Sequence, residues 1–246
     1  MSKKQHKFKV YDNNTPVTVD ETMSKRWKKA PPYEPMNAKQ ARYEHLIEST
    51  PFVIATGVAG TSKTYTPTRI AARRLINKAI KQIILIRPAR SLSPSLGFFK
   101  GDHVEKMKLW LMPILDALNE DFPYSTLEYY LKPEVNVIRC VPMEVAKGIS
   151  FKNAFIIIDE ASDLELYEVK TLLTRLGTNC TMVFCGDIEQ SALGEDNGIS
   201  QILNLREQSW YLESTLSHID FDDIDEDFVR SEACKNILKG FREVGM

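Results

Sequence analysis

"GVAGTSKT", Gly57 to Thr64, follows the apolar run "PFVIATG" and opens the segment "KTYTPTRIAARRLINKAI". The β-branched run suits a buried strand, and the segment behind it reads as a helix in which Pro67 is tolerable because it falls in the first turn. Between the two, Gly57 and Gly60 supply a turn that side chains would obstruct. Successive backbone N–H groups then aim inward, and the helix N-terminus adds its partial positive charge. Such a turn cradles phosphates, here along Gly57, Val58, Ala59, Gly60, Thr61, Ser62, Lys63, Thr64 and Tyr65. Lys63 is placed to reach the β- and γ-phosphates of a nucleotide, and the Thr64 hydroxyl to ligate Mg²⁺. Ser62 stands where the usual pattern has a second glycine. Its position at the helix entrance predicts helical dihedrals, which admit a Cβ, and nucleotide binding that survives the substitution.

The same alternation continues along the chain. "QIILIRP", "VNVIRCV", "AFIIIDEA" and "TMVFCGD" read as four further apolar strands. "NAKQARYEHLIES", with Asn37 as N-cap, "HVEKMKLWLMPILDALNE", kinked near Pro113, and "LELYEVKTLLTRLG", stopped by Gly177, read as helices. Strands separated by helices imply right-handed crossovers and an α/β fold with a parallel sheet covered by helices on both faces. Ligands of such sheets bind outside the carboxyl ends of the strands. The conspicuous polar residues fall there: Gly57–Thr64, Arg87, Asp159 with Glu160, and Asp187 with Gln190.

Asp159 closes the run "FIII", the arrangement that holds Mg²⁺ opposite a phosphate loop. Glu160, next in sequence, points the other way and can polarise a water aimed at the γ-phosphate. In "CGDIEQSAL", Gln190 follows a Gly-Asp strand end, where an amide senses whether that phosphate is present.

Composition narrows the class. The chain has 246 residues, 43% hydrophobic and 26% charged, which suits one large domain with extensions. No apolar run approaches the ~20 residues that cross a bilayer, and the start, "MSKKQHKFKVYDNN", lacks the apolar stretch of a secretory signal. Four cysteines without C-x-x-C spacing read as small buried hydrophobes in a reducing cytoplasm. Residues 1–36 carry eight Lys or Arg against four acids and read as a basic, partly disordered arm ahead of a domain at 37–246. Glu213 to Asp227 holds seven acids and no Lys or Arg.

"GVAGTSKT", "DEASD" and "GDIEQ", in this order, resemble motifs I, II and III of superfamily 1 helicases. "RPARSLSPSLGFFKGDHVEK", "FKNAFIIIDEASD" and "LLTRLG" resemble the PhoH family of P-loop ATPases more specifically, in a short form similar to those carried by bacteriophages. The resemblance runs from about Asn37 to Asn204 and more loosely to the end. It implies a RecA-like P-loop fold and ATP hydrolysis, with Gln40 reading adenine and Arg87 contacting phosphate or nucleic acid. It further implies that Arg230, in "DFVRSEACKNIL", is a finger acting on a neighbour's γ-phosphate in a homo-oligomeric ring such as a hexamer. RNA or single-stranded DNA is the expected partner, with Arg90, Phe98, Phe99, Lys100 and the amino-terminal arm as candidate contacts. One RecA-like sheet is expected and no further set of strands after Gln190. An ATP-binding regulatory module with slow hydrolysis stays open as the alternative, and a small-molecule kinase is disfavoured because nothing resembles an acceptor lid.

Overall fold

Six parallel strands form one sheet in the order β3-β2-β4-β5-β1-β6. The structure is a computed structural model and describes residues 29–88 and 109–244. The strands are β1 (Phe52–Gly57), β2 (Gln82–Arg87), β3 (Ile138–Pro142), β4 (Ala154–Ile158), β5 (Cys180–Cys185) and β6 (Leu216–Phe221). The five expected strands are all present.

Strand alternation divides the interior in two. Val53, Ile83, Leu85, Ile157 and Val183 point to one side, where Tyr43 and Ile47 of α1 (Ala38–Ser49) and Ile70 of α2 (Tyr65–Ile76) cover them. Ile114 and Leu118 of α3 (Met112–Asn119) and Leu127 of α4 (Tyr124–Tyr130) complete that layer. Ile54, Ile84, Ile156, Ile158 and Phe184 point to the other side. There they meet Met143 of α5 (Met143–Ala146), Leu172 of α6 (Leu166–Leu173) and Ile199 of α7 (Gly198–Glu207). Each such fully buried aliphatic side chain stabilises the fold by about 1.5–3 kcal/mol. Because both faces are covered, the central strands read as unbroken apolar runs. Leu109 and Trp110 are helical, Leu111 is a turn, and α3 resumes at Met112 with Pro113 in its first turn, so the helical stretch is interrupted next to Pro113.

β6 was not anticipated. Only Leu216, Ile219 and Phe221 of its six residues are buried, and Ser217, His218 and Asp220 interrupt the apolar pattern. It pairs with β1 alone, from Phe52 opposite Leu216 to Gly57 opposite Phe221. Its polar residues have a partner on β1. Thr56 Oγ1 donates to Asp220 Oδ1 at 2.7 Å and lies 2.8 Å from His218 Nε2.

The acidic run continues past β6. A short helix, α8 (Trp210–Thr215), precedes that strand, and α9 (Ile224–Asp227) follows it. α9 docks on α1: Lys39 Nζ reaches the fully buried Asp227 at 2.6 Å, and Asn37 Nδ2 donates to Glu226 O. The last helix, α10 (Glu232–Glu243), buries nothing. Lys235 and Lys239 turn inward to Asp225, and Arg242 to Asp222 and Glu189, leaving Ile237 and Phe241 outward.

Residues 30–33 contact the rest of the structure: Ala30 N donates to Glu120 O, Pro31 O accepts from Arg69, and Tyr33 reaches Thr66. Residues 1–28 of the basic arm, together with Arg90, Phe98, Phe99 and Lys100, lie outside the described residues. Of the four free cysteines only Cys185 is fully buried, while Cys234 is exposed on α10. Among the described residues no helix is long and apolar enough to cross a membrane.

Candidate active site

The strand ends meet at a cavity of about 560 Å³. It is lined by Ala59 through Tyr65, Arg87, Asp159, Glu160, Asp187, Gln190 and Arg230, with Thr68, Pro113 and Ile114 along one side. Loops more than a hundred residues apart in sequence therefore share one pocket at the carboxyl edge of the sheet.

The phosphate loop is shaped by what stands behind it. Gly57 has φ +119°, and a Cβ there would lie 2.3 Å from Phe221 O of β6. Gly60 has φ +88°, and a Cβ there would lie 2.6 Å from the Phe228 ring and 3.1 Å from Arg230 Cδ. Both glycines are required by close approach as well as by backbone conformation. Val58 N donates to Phe221 O, and Val229 N donates to Gly60 O, so the carboxyl-terminal segment forms the back of the loop. Gly57 and Val58 consequently stand behind the cavity wall and not in its lining, and the Val58 N–H is committed to β6. Phe221, Phe228 and Val229 are the residues that sequence patterning missed; an acidic, strand-poor stretch gave no sign of them.

Ser62 corrects an expectation. Its φ is +68°, left-handed rather than helical, because α2 begins only at Tyr65. A non-glycine residue there carries roughly 1–2 kcal/mol of strain.

Lys63 is 9% exposed, and its ammonium donates to Gly57 O and Val58 O, each at 2.6 Å. Burial pulls its pKa down, opposed by the negative charge of Asp187. Thr64 Oγ1 donates to Asp159 Oδ1 at 2.9 Å. Oxygens on adjacent corners of an octahedral magnesium, with ligands at 2.0–2.1 Å, are about 3 Å apart. The hydroxyl and carboxylate thus fit the ion that the loop implies.

Glu160 also adopts a left-handed backbone, φ 51° and ψ 43°, which turns it away from the strand direction that Asp159 continues. Burial, and then the Asp159 charge, push its carboxyl above the ordinary range. Arg87 lies 3.3 Å from both Asp159 Oδ2 and Glu160 Oε1, anchored by a bond to Trp110 O. It lines the cavity, and its guanidinium serves the carboxylate pair. Gln190 lines the opposite rim and is exposed. Its loop is tied to the Asp159 side by Ser191 Oγ to Ser162 O and by Ala192 N to Asp163 Oδ1.

Arg230 lines the cavity beside Gly60. Gln40 is outside the lining. It is 1% exposed, with Oε1 accepting from Met36 N at 2.9 Å while its buried Nε2 has no hydrogen-bond partner. Tyr65, the last predicted loop residue, lines the cavity and donates its hydroxyl to Glu120.

The PhoH-like protein family matches residues 33–242. The chain belongs to this family. Protein PhoH of Escherichia coli (strain K12) is 35% identical over 207 residues, which cover 83% of this chain and 57% of that protein. The PhoH-like protein of Bacillus subtilis (strain 168) is 36% identical over 151 residues, covering 61% of this chain and 47% of that one. The chain therefore spans about half the length of these PhoH relatives. Among solved structures, the large terminase of a thermophilic bacteriophage is similar at a TM-score of 0.54 and 11% identity, covering 84% of this chain and 50% of that one. The HK97 bacteriophage large terminase is similar at 0.51 and 12%, covering 91% and 52%. At these identities the likeness concerns the fold, and it agrees with the RecA-like P-loop architecture expected for a PhoH family member.

Proposed function

We propose that this PhoH family protein binds and hydrolyses ATP with Mg²⁺ in the cavity between the phosphate loop and Asp159. The observation that carries the reading is the meeting of Thr64 Oγ1 and Asp159 Oδ1 at 2.9 Å, with Lys63 and Glu160 in the same lining. Each residue then has a distinct task. The loop N–H groups from Ala59 to Tyr65 receive the phosphates, and Lys63 exchanges its two carbonyl acceptors for β- and γ-phosphate oxygens. Thr64 and Asp159 would hold a magnesium ion, which would offset the charge on those oxygens. Glu160 accepts the proton of the attacking water, and Gln190 orients that water against the γ-phosphate. Arg87 holds the two carboxylates together until substrate arrives, and Arg230 meets the γ-phosphate from within its own chain.

Adenine is read by Gln40, whose unpaired buried Nε2 offers donors beside an acceptor already placed. Turnover acts on RNA or single-stranded DNA in a homo-oligomeric assembly in the cytoplasm; one RecA-like sheet needs a second to grip a strand across a cleft. The test is ATP turnover measured with and without RNA and single-stranded DNA while the particle mass is recorded. Stimulation that fades with rising salt in a multi-subunit particle supports the reading. A protein that retains no adenine nucleotide at saturating Mg²⁺ overturns it.

A further inference from the structure

Pro67 stands in the first turn of α2, where its missing N–H is usually harmless to the helix. Here the loss falls on the acceptor. Thr66 N donates to Ser62 O at 3.0 Å and Thr68 N to Thr64 O at 3.3 Å, so the helical bonds on either side are made. The bond between them would run from residue 67 to the Lys63 carbonyl, and proline cannot donate it. That carbonyl is turned into the interior, where an unpaired acceptor costs about 1–3 kcal/mol.

Two side chains take the place of the missing donor. Tyr43 Oη of α1, completely buried, donates to Lys63 O at 2.9 Å. Cys185 Sγ, at the end of β5, donates to the same oxygen at 3.2 Å. The tyrosine ring is held in turn by an edge contact with Phe221, 5.4 Å between centroids, and Phe221 is the residue whose carbonyl backs Gly57.

We infer that Tyr43 is a positioning residue of the phosphate loop, whose hydroxyl stands in for the amide proton that Pro67 lacks and so fixes the backbone of Lys63. The strain at Ser62 makes this clamp necessary, since a left-handed serine persists only where its surroundings determine it. With Lys63 O fixed, the N–H groups of Ser62, Lys63 and Thr64 keep the direction that a phosphate needs. The clamp is insensitive to pH near neutrality. Burial drives the Tyr43 hydroxyl well above its ordinary pKa and the Cys185 thiol up to about 12, so both remain donors.

The inference rests on the nucleotide-binding reading for its consequence, but not for its geometry, and the two are separable by experiment. Four proteins are compared: the wild type, Tyr43→Phe, Pro67→Ala and the double variant. Affinity for Mg²⁺ and a fluorescent ATP analogue is measured at equilibrium, and amide exchange over residues 57–64 is followed without nucleotide. Tyr43→Phe, which leaves only the weak thiol donor, is expected to lower affinity about fivefold to tenfold, the effect of one hydrogen bond. It is also expected to speed exchange in the loop. In the Pro67→Ala background, where a backbone N–H returns, the same change is expected to cost less than about twofold.

Equal losses in the two backgrounds would assign Tyr43 to packing alone and overturn the inference, as would no change in either measurement. If the wild type binds no nucleotide, the functional reading fails, and the exchange pattern of the four proteins still decides the role of Tyr43.

Discussion

Two helices of the same length start beside the cavity, and the protein holds them in opposite ways. α2 begins just after Lys63 and Thr64 and buries seven of its residues, from Thr66 to Ala72. α10 begins just after Arg230 and Ser231 and buries none. α2 is fixed by the apolar layer under the sheet and by Arg69, which reaches Asp121, Glu120, Tyr65 and the Pro31 carbonyl. α10 is fixed by exposed lysine and arginine pairs to Asp225, Asp222 and Glu189. Exposed pairs of this kind contribute little and weaken with salt, whereas buried apolar contacts do neither. The difference separates tasks. The phosphate-loop residues lead into a buried helix, and the arginine that faces them leads into a helix held only at the surface.

The comparison can be broken at its centre by removing chemistry from an intact cavity. Glu160→Gln is expected to lower ATP turnover about 10²–10⁴-fold while nucleotide affinity holds. Because burial and Asp159 raise the Glu160 pKa, the carboxylate form is lost earlier on acidification than an ordinary glutamate would lose it. Turnover is therefore expected to fall with decreasing pH below neutrality, and this limb of the profile should disappear in Glu160→Gln. A profile unchanged by the substitution would assign the proton to another group.

On the fixed side, Gly57→Ala drives a Cβ against Phe221 O in a backbone conformation that alanine avoids. A loss of about 3 kcal/mol in denaturant unfolding is expected. The opposite change, Ser62→Gly, relieves the left-handed serine and is expected to gain about 1 kcal/mol in the same measurement. A much larger gain, or far tighter nucleotide binding, would mean that the loop is more strained than its dihedral indicates.

The smallest effect is expected on the adjustable side. Asp225→Ala removes the shared partner of Lys235 and Lys239. It should speed amide exchange across residues 232–243 and leave the melting temperature where it was. A drop in the melting temperature would show that α10 is as much a part of the foundation as α2.

Legibility in the sequence follows the same division. β1, β2, β4 and β5 are buried on both faces, so apart from Thr56 and Thr181 their interior residues are apolar and the strands are plain. The residues that face the cavity, Lys63, Thr64, Asp159, Glu160 and Gln190, are legible because they punctuate those runs at their ends. β6 is an edge strand whose polar side chains find Thr56, and alternation that depends on a partner cannot be read from one segment. The conformation of Ser62 was misread because the helix begins later than its lysine suggests. The pairing of Arg87 with Asp159 and Glu160 was not legible because these carboxylates follow a strand adjacent in space but distant along the chain.

The contact between Gly57 and Phe221 also bears on the order in which this molecule is made. A ribosome releases the glycine turn early, yet the carbonyl that receives Val58 N and the amide that reaches Gly60 O belong to Phe221 and Val229, synthesised much later. Sequence-distant pairings form late in folding, and during synthesis they wait for the later partner to emerge. A nascent chain that has not yet reached β6 would carry the motifs from Gly57 to Gln190 and still have an unsupported turn. Completion of the loop's support thus follows translation of these motifs by a delay, which is set by the stretch that backs them.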